Sequence, residues 1–321
     1  MSTKIVEAQI RIDASTDEVY AALIDGDALR AWFAEEASVA LDAGRYEFSG
    51  RYILGTPEPG QPEMKLYEVQ PGRKLVYGWP LDGAETVVAM EVEAEGGDTL
   101  LKLEHHNLPG SLSWLVEAFW SMALENLRGY AERGAPGLRF DFADIPYGDV
   151  RCSVNIDAAP EAVFEALINP DQLDRYMSEK PAHVEPQVGG EYNVGWSGEG
   201  PVKILDLAPN ERLTYSWHSE KDGAVGTVVT WELEDSAGRT TLTLVHSGFA
   251  PDRAGMDYGL GWLDYLNRIK QMVEGGDKWE KPRLRVIDPR DIRGEGLYYP
   301  GVGVHDAIPS ARDLISGQRG R

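Results

Sequence analysis

The hydrophobic and polar positions along the chain follow the same order twice. In the first half of the chain, apolar residues alternate with polar ones in short runs such as Leu75, Tyr77 and Trp79. They then recur every three or four positions from Val116 to Tyr130. Alternation is typical of half-buried strands, and spacings of three and four are typical of one helix face. The pattern predicts a strand, two short helices, several strands and one long helix.

An internal repeat accounts for the recurrence. The segment IDASTDEVYAAL at 12–23 recurs as IDAAPEAVFEAL at 156–167, and LKLEH at 101–105 recurs as LTLVH at 242–246. The matching segments keep their order along the chain. The sequence therefore predicts a tandem duplication of one domain.

Turn-forming residues indicate where each copy ends. Glycine and proline cluster near both ends, so we expect a first domain at 1–135, a linker at 136–148, a second domain at 149–277 and a tail at 278–321. Each copy is strongly acidic, whereas the tail has more basic than acidic residues. Two interpretations of the tail are open: a basic arm that docks on an acidic face, and a partly ordered extension.

Local signals support the helices and the sheet. Ser15 and Glu18 form a capping-box pattern at the first helix, and Pro160 stands at the start of its counterpart. Consecutive strands joined by short turns predict an antiparallel meander with one buried face. A long apolar helix must cover that face. We expect an α+β fold in which each curved antiparallel sheet wraps on a long C-terminal helix, with space between them.

Composition narrows the class of protein. The 321 residues include 53 acidic and 31 basic ones, for a net charge of −22, which disfavours nucleic acid as a partner. No apolar run is long enough to predict a membrane span. Cys152 is the only cysteine, so an intrachain disulfide is excluded and a reducing, cytoplasmic location is expected.

These motifs resemble a known superfamily. The two opening segments, the strand P-x-x-x-L-x-Y-x-W at 71–79 and 209–217, and the long helix containing a tryptophan are similar to the START-like (SRPBCC) superfamily. Within it, they are similar to the branch of heat-shock-protein-90 ATPase activator homologues. The resemblance implies two tandem helix-grip (START/Bet v-like) domains around hydrophobic cavities. It does not imply one activity, since members include lipid and polyketide binders, cyclases, hormone-binding proteins and co-chaperones.

Aromatic residues on the inward faces are candidates for a cavity wall. They are Phe48, Tyr77, Trp79 and Trp120, together with the apolar Met90, in the first copy, and Trp196, Tyr215, Trp217, Trp231 and Trp262 in the second. Such residues either form the core or line a cavity for a ring-containing or acyl ligand. The second copy has more tryptophans, so we expect it to be the better binder.

Two histidines are the candidate catalytic residues. His105 and His246 lie at equivalent inward positions at the end of the last strand, where a histidine can bind a ligand carbonyl or act as a general base. The alternative is a structural histidine with satisfied hydrogen bonds. The chain has no G-x-S-x-G motif and no helical histidine pair, so neither a metal nor a cofactor is expected.

Three functions remain open. The first is the binding of an apolar small molecule (a lipid, an aromatic or a polyketide-like compound) in the cavity. The second is a co-chaperone-like module of the heat-shock-protein-90 ATPase activator type, whose partner is a chaperone or another protein. The third is a cyclase or hydrolase that uses a cavity histidine. The lack of paired catalytic residues favours a binding protein over an enzyme.

Overall fold

The chain forms two compact units. The computed structural model describes residues 3–55, 63–196, 201–219, 224–253 and 255–289. Of these, 3–136 and 282–289 belong to the first unit, and Gly137–Lys281 contains the second. Each unit combines a curved antiparallel sheet with one long helix, which confirms the predicted fold class. The predicted domain limits at 135, 149 and 277 stay a prediction about which pieces fold by themselves.

The first unit follows the predicted order of elements. Its strands and helices are β1 (Thr3–Ile12), α1 (Thr16–Ile24), α2 (Gly26–Trp32), β2 (Glu36–Ala40), β3 (Arg45–Ser49), β4 (Lys65–Gln70), β5 (Lys74–Leu81), β6 (Ala84–Glu95), β7 (Asp98–Pro109) and α3 (Ser113–Arg133). The capping box at α1 is present, because the Ser15 and Glu18 side chains each accept a backbone N–H from the other residue. Thus the predicted start of this helix is confirmed.

The second unit repeats this order. It consists of β8 (Val150–Ile156), α4 (Pro160–Ile168), α5 (Pro170–Tyr176), β9 (His183–Val184), β10 (Glu191–Asn193), β11 (Val202–Ala208), β12 (Arg212–Ser219), β13 (Ala224–Ser236), β14 (Arg239–Ser247) and α6 (Met256–Gly275). Its seven strands form one antiparallel sheet in the order β8-β14-β13-β12-β11-β10-β9. Buried and exposed residues alternate along β8, so one face of the sheet lies against the core.

A strand from the end of the chain completes the first sheet. After the second unit, β15 (Arg283–Ile287) pairs antiparallel with β1, which gives the order β15-β1-β7-β6-β5-β4. This strand lies in the predicted tail, of which residues 290–321 fall outside the described residues. The tail therefore contributes to the first unit at least through β15.

Part of the predicted linker packs on the second unit. The side chain of Asn267 in α6 accepts a hydrogen bond from the Leu138 N–H at 2.7 Å and donates one to the Leu138 carbonyl at 2.9 Å. Phe140 is buried and lies beside Gly259 of the same helix. These contacts tie the chain before β8 to α6.

The two units differ at one strand pair. In the second, β10 is hydrogen-bonded to β11 and so belongs to the main sheet. In the first, β2 and β3 form a separate two-stranded sheet, and within the described residues β3 has no ladder to β4. This hairpin covers the inward face of the first sheet and carries Phe48.

Candidate functional site

The interior of the first unit is a packed aromatic cluster. The candidate cavity residues of this copy are at most 3% exposed: Phe48, Tyr77, Trp79, Met90 and Trp120. Phe33, which follows α2, lies 5.0 Å from Phe48 and 6.2 Å from Trp79 between ring centroids. Phe119 of α3 lies 5.4 Å from Trp79. These rings meet edge to face, an arrangement that favours dense packing.

The second unit contains a pocket beside β10, β11 and β12. Its walls are formed by Tyr192, Asn193, Val194, Trp196, Val202, Tyr215 and Trp217. The empty space is about 290 Å³ with its open mouth, but the part that the centre of a water molecule can reach is about 20 Å³. The pocket therefore has room for about one water molecule. Four of these seven residues are aromatic and none is ionisable at neutral pH, so the wall is uncharged and largely aromatic.

Two tryptophans of the wall are anchored by hydrogen bonds. The indole Nε1 of Trp217 donates to the Tyr258 hydroxyl at 3.1 Å, and that of Trp196 donates to the Met177 carbonyl at 3.2 Å. Trp217 is buried, whereas Trp196 is only half-buried. Trp196 is therefore the most exposed of the four aromatic residues of the wall.

The pocket exists in the second unit because small residues replace large ones. Tyr46 and Tyr192 are equivalent, since their hydroxyls donate to the matching carbonyls of α1 and α4 at 2.8 Å. Two positions after each tyrosine, the first unit has Phe48 and the second has Val194. The smaller side chain leaves volume against the aromatic wall.

Two further replacements act in the same direction. The segments MKL at 64–66 and VKI at 202–204 are equivalent, because the third residue of each opposes the matching tyrosine on the next strand. Val202 thus replaces Met64. On the long helix, Gly261 replaces Phe119. Apart from its chain neighbours and the backbone of its own helix, no atom of the described residues lies within 4 Å of the place where a Cβ on Gly261 would stand.

The other candidate residues of the second copy lie behind the pocket. Trp231 is buried, and its Nε1 donates to the hydroxyl of the wall residue Tyr215 at 3.2 Å. Trp262 of α6 is buried next to His246. The structure thus brings Trp196, Tyr215 and Trp217 together in one wall, whereas Trp231 and Trp262 support it.

His105 and His246 occupy the same hydrogen-bonded arrangement in the two units. Trp120 donates through Nε1 to His105 Nδ1 at 3.1 Å, and His105 Nε2 lies 2.7 Å from the Thr86 hydroxyl. Because an indole nitrogen only donates, Nδ1 is the acceptor and Nε2 carries the proton. The Thr86 hydroxyl then donates to the Trp79 carbonyl.

The second unit repeats this chain of hydrogen bonds. Trp262 donates to His246 Nδ1 at 3.1 Å, and His246 Nε2 lies 2.8 Å from the Thr227 hydroxyl. Both imidazoles are fully buried. We refer to Trp120–His105–Thr86 and Trp262–His246–Thr227 as the buried triads.

Burial keeps both imidazoles neutral. The pKa of His105 is lowered to about 3, mainly by desolvation and to a smaller extent by the neighbouring His106. Desolvation likewise lowers the pKa of His246 to about 3, with a smaller effect from Arg253. A histidine whose two ring nitrogens are both engaged, and whose pKa is this low, is a weak general base at neutral pH.

Two kinds of site residue escape a reading of the sequence. Thr86 and Thr227 complete the triads, and the signal for them is their position on the strand next to each histidine. Val194 and Val202 create the pocket, and only comparison of the two copies reveals them as replacements of larger residues. A search for aromatic residues alone cannot find them.

Other classes of site are absent from the described ranges. No group of three histidine, cysteine, aspartate or glutamate side chains there lies close enough to hold a metal ion. No helix in the same residues is both long and apolar enough to cross a membrane.

Several solved structures are similar to parts of this chain. No curated protein matches the chain. The solved structure of MLL2253 from Mesorhizobium loti is 25% identical, covers 40% of this chain and 98% of its own, and superposes with a TM-score of 0.36. The Aha1 dimer from Colwellia psychrerythraea is 22% identical over 40% of this chain and 98% of its own, with a TM-score of 0.35.

A third structure matches more of the chain. DynU16, a protein of the dynemicin biosynthetic locus, is 18% identical, covers 84% of this chain and 98% of its own, and has a TM-score of 0.35. All three scores are low, so the family assignment rests on sequence. The family model of activator of Hsp90 ATPase homolog 1-like proteins matches residues 13–132 and again 157–274. The chain therefore belongs to this family and carries its domain twice in tandem.

Proposed function

We propose that this protein binds an uncharged, ring-containing small molecule in the pocket of its second unit. Membership of the family supports a ligand-binding or Aha1-like module in general. The pocket wall is the observation that carries the finer proposal. It offers four aromatic side chains and no ionisable group at neutral pH, so it favours an apolar, neutral ligand.

Binding requires the pocket to widen. Its water-accessible space of about 20 Å³ is far smaller than a ring, and typical ligand pockets measure about 300–1,000 Å³. We expect this widening to begin at Trp196, the most exposed of the four aromatic residues of the wall. The ligand ring would then stack on Trp217, which Tyr258 holds in place.

The buried triads favour binding over catalysis. Each imidazole accepts from a tryptophan and lies within hydrogen-bond distance of a threonine. Abstraction of a substrate proton would require one of these bonds to break in the core. The triads therefore support a structural role for His105 and His246 in this proposal.

A fluorescent probe and one variant test the proposal. N-phenyl-1-naphthylamine is uncharged and becomes fluorescent in apolar surroundings, so we expect the full-length protein to bind it. The V202M variant places in the second unit the residue that the first unit carries, and it should weaken binding at least about tenfold by filling the pocket. The probe should quench the tryptophan emission of the parent protein more strongly than that of V202M, because Trp217 lines the pocket.

An adjacent position provides the control. Leu205 lies on the same strand and is exposed, so L205M makes a similar change outside the pocket and should leave the affinity unchanged. The proposal fails if V202M, shown by circular dichroism to be folded, binds the probe as tightly as the parent protein.

A further inference from the structure

Three polar atoms in the core of the first unit have no hydrogen-bond partner within the described part of the chain. They are the hydroxyls of Tyr20 and Tyr77 and the indole Nε1 of Trp79. Tyr77 and Trp79 are fully buried, and Tyr20 is 5% exposed. Most buried polar groups in proteins are paired, so three unpaired donors in one core call for a physical explanation.

In the second unit, the equivalent of Tyr77 has a hydrogen-bond partner. This residue, Tyr215, accepts a hydrogen bond from Trp231 Nε1 at 3.2 Å. The first unit has Met90 where the second has Trp231, since both residues oppose the matching leucine on the preceding strand. The thioether of Met90 cannot donate a hydrogen bond. The Tyr77 hydroxyl therefore lacks the donor that its equivalent, Tyr215, has in Trp231.

Trp79 Nε1 also lacks a partner that its equivalent has in the second unit. Its equivalent, Trp217, donates to the Tyr258 hydroxyl at 3.1 Å. Four residues before the triad tryptophan of the long helix, the first unit has Val116 in place of Tyr258. Valine offers no acceptor. Two buried polar groups on one face of β5, the Tyr77 hydroxyl and Trp79 Nε1, thus lack the partners that their equivalents have in the second unit.

Phe48 packs against the two rings that carry these polar groups. Its ring centroid is 5.7 Å from that of Tyr77 and 5.2 Å from that of Trp79, edge to face in both cases. It is carried by β3, which among the described residues pairs only with β2. The hairpin can therefore shift without breaking a ladder of the main sheet, whereas in the second unit β10 is held by β11.

We propose that the first unit holds a second ligand site, closed by Phe48, whose ligand is an uncharged aromatic ketone. The ring of the ligand takes the place of the Phe48 ring, and its carbonyl oxygen accepts a hydrogen bond from the Tyr77 hydroxyl or from Trp79 Nε1. The ring of His105 lies 5.4 Å from that of Trp79 and is engaged on both nitrogens, so it does not compete for the ligand carbonyl. The site is distinct from the pocket of the second unit and does not depend on it.

A pair of ligands that differ in one carbonyl tests the site. The full-length protein carries V202M to fill the pocket of the second unit, and F48V to open the first site with the residue found at the equivalent position. We expect 2-acetylnaphthalene to bind about five- to tenfold more tightly than 2-ethylnaphthalene in calorimetric titration, as one neutral hydrogen bond contributes. Without F48V, the same preference should appear at lower affinity.

Variants of the donors identify the site. Y77F and W79F should each lower the preference for the ketone, and the two together should bring it close to one. Y215F, the matched change in the second unit, should leave it unaltered. If F48V unfolds the hairpin, F48L serves in its place.

The outcomes separate this proposal from the previous one. Equal affinity for the two naphthalenes, absence of binding, or a preference that survives Y77F and W79F together would each overturn the site in the first unit. Failure of V202M to weaken probe binding would count against the pocket of the second unit alone.

Discussion

Tyr77 and Tyr215 occupy matching positions on β5 and β12, but their hydroxyls have opposite effects on stability. The Tyr215 hydroxyl is the acceptor for Trp231, whereas the Tyr77 hydroxyl is buried without a partner. An unpaired buried hydroxyl costs about 1–3 kcal/mol of folding free energy, and a satisfied one contributes about 1 kcal/mol. The two equivalent tyrosines therefore differ in hydrogen bonding. The hydroxyl is paired in the second domain and is an unpaired donor in the first.

This difference predicts opposite results for the same substitution. Y77F should raise the free energy of unfolding of the first domain by about 1 kcal/mol, because it removes an unsatisfied group. Y215F should lower that of the second by about 1–2 kcal/mol, because it leaves Trp231 Nε1 without an acceptor. Native-state hydrogen exchange, analysed by peptides of each domain, measures both changes separately. Destabilisation of the first domain by Y77F would mean that its hydroxyl is paired.

At the scale of elements, charge favours the pairing of the edge strand β15 with β1. In the register of this pair, Arg285 lies opposite Glu7, and its guanidinium contacts one Glu7 oxygen at 2.5 and 2.8 Å. The repeat places Arg151 of β8 at the position of Glu7. An arginine there would repel Arg285. The two equivalent strands thus differ in the residue that decides which of them can accept β15.

Charge reversal tests this selection. R285E places two carboxylates opposite each other in a part-buried pair, and we expect it to weaken protection of β1 amides from hydrogen exchange by about 1 kcal/mol. The double variant E7R/R285E restores opposite charges and should recover most of the protection. R283E, at a neighbouring position opposite Gln9, is the control. Loss in the double variant as large as in R285E would exclude the ion pair as the cause.

Local sequence patterns predicted the helices and strands well. They did not predict the pairing of distant strands or the space that small side chains leave unfilled. Alternation gave the strands, and the Ser15 and Glu18 pair gave the start of α1. By contrast, β15 pairs with a strand at the opposite end of the chain, and its pattern of apolar and polar residues does not indicate that partner. The pocket depends on volume that Val194 and Val202 do not fill. An aromatic count indicates which side chains face inward, but not where they leave space.

At the scale of the whole molecule, the buried triads give both domains the same pH dependence. Each triad holds a neutral imidazole whose pKa is lowered from 6.5 to about 3, mainly by burial. The unfolded chain binds a proton at each of these histidines below about pH 6.5, and the folded chain does not. Stability from this source is therefore present above pH 6.5 and is lost as the pH falls toward 3.

Acid should consequently weaken the two domains together. Between pH 6.5 and 5, where few carboxylates take up protons, we expect each domain to lose up to about 1.4 kcal/mol per pH unit from its triad histidine. Hydrogen exchange over this range measures the slope for each domain. H105Q should flatten the slope of the first domain only, and H246Q that of the second only, whatever each variant does to stability at pH 7. H183Q, a change at an exposed histidine, should flatten neither. Slopes that persist in H105Q and H246Q would place the proton uptake elsewhere and remove the triads as the origin of acid sensitivity.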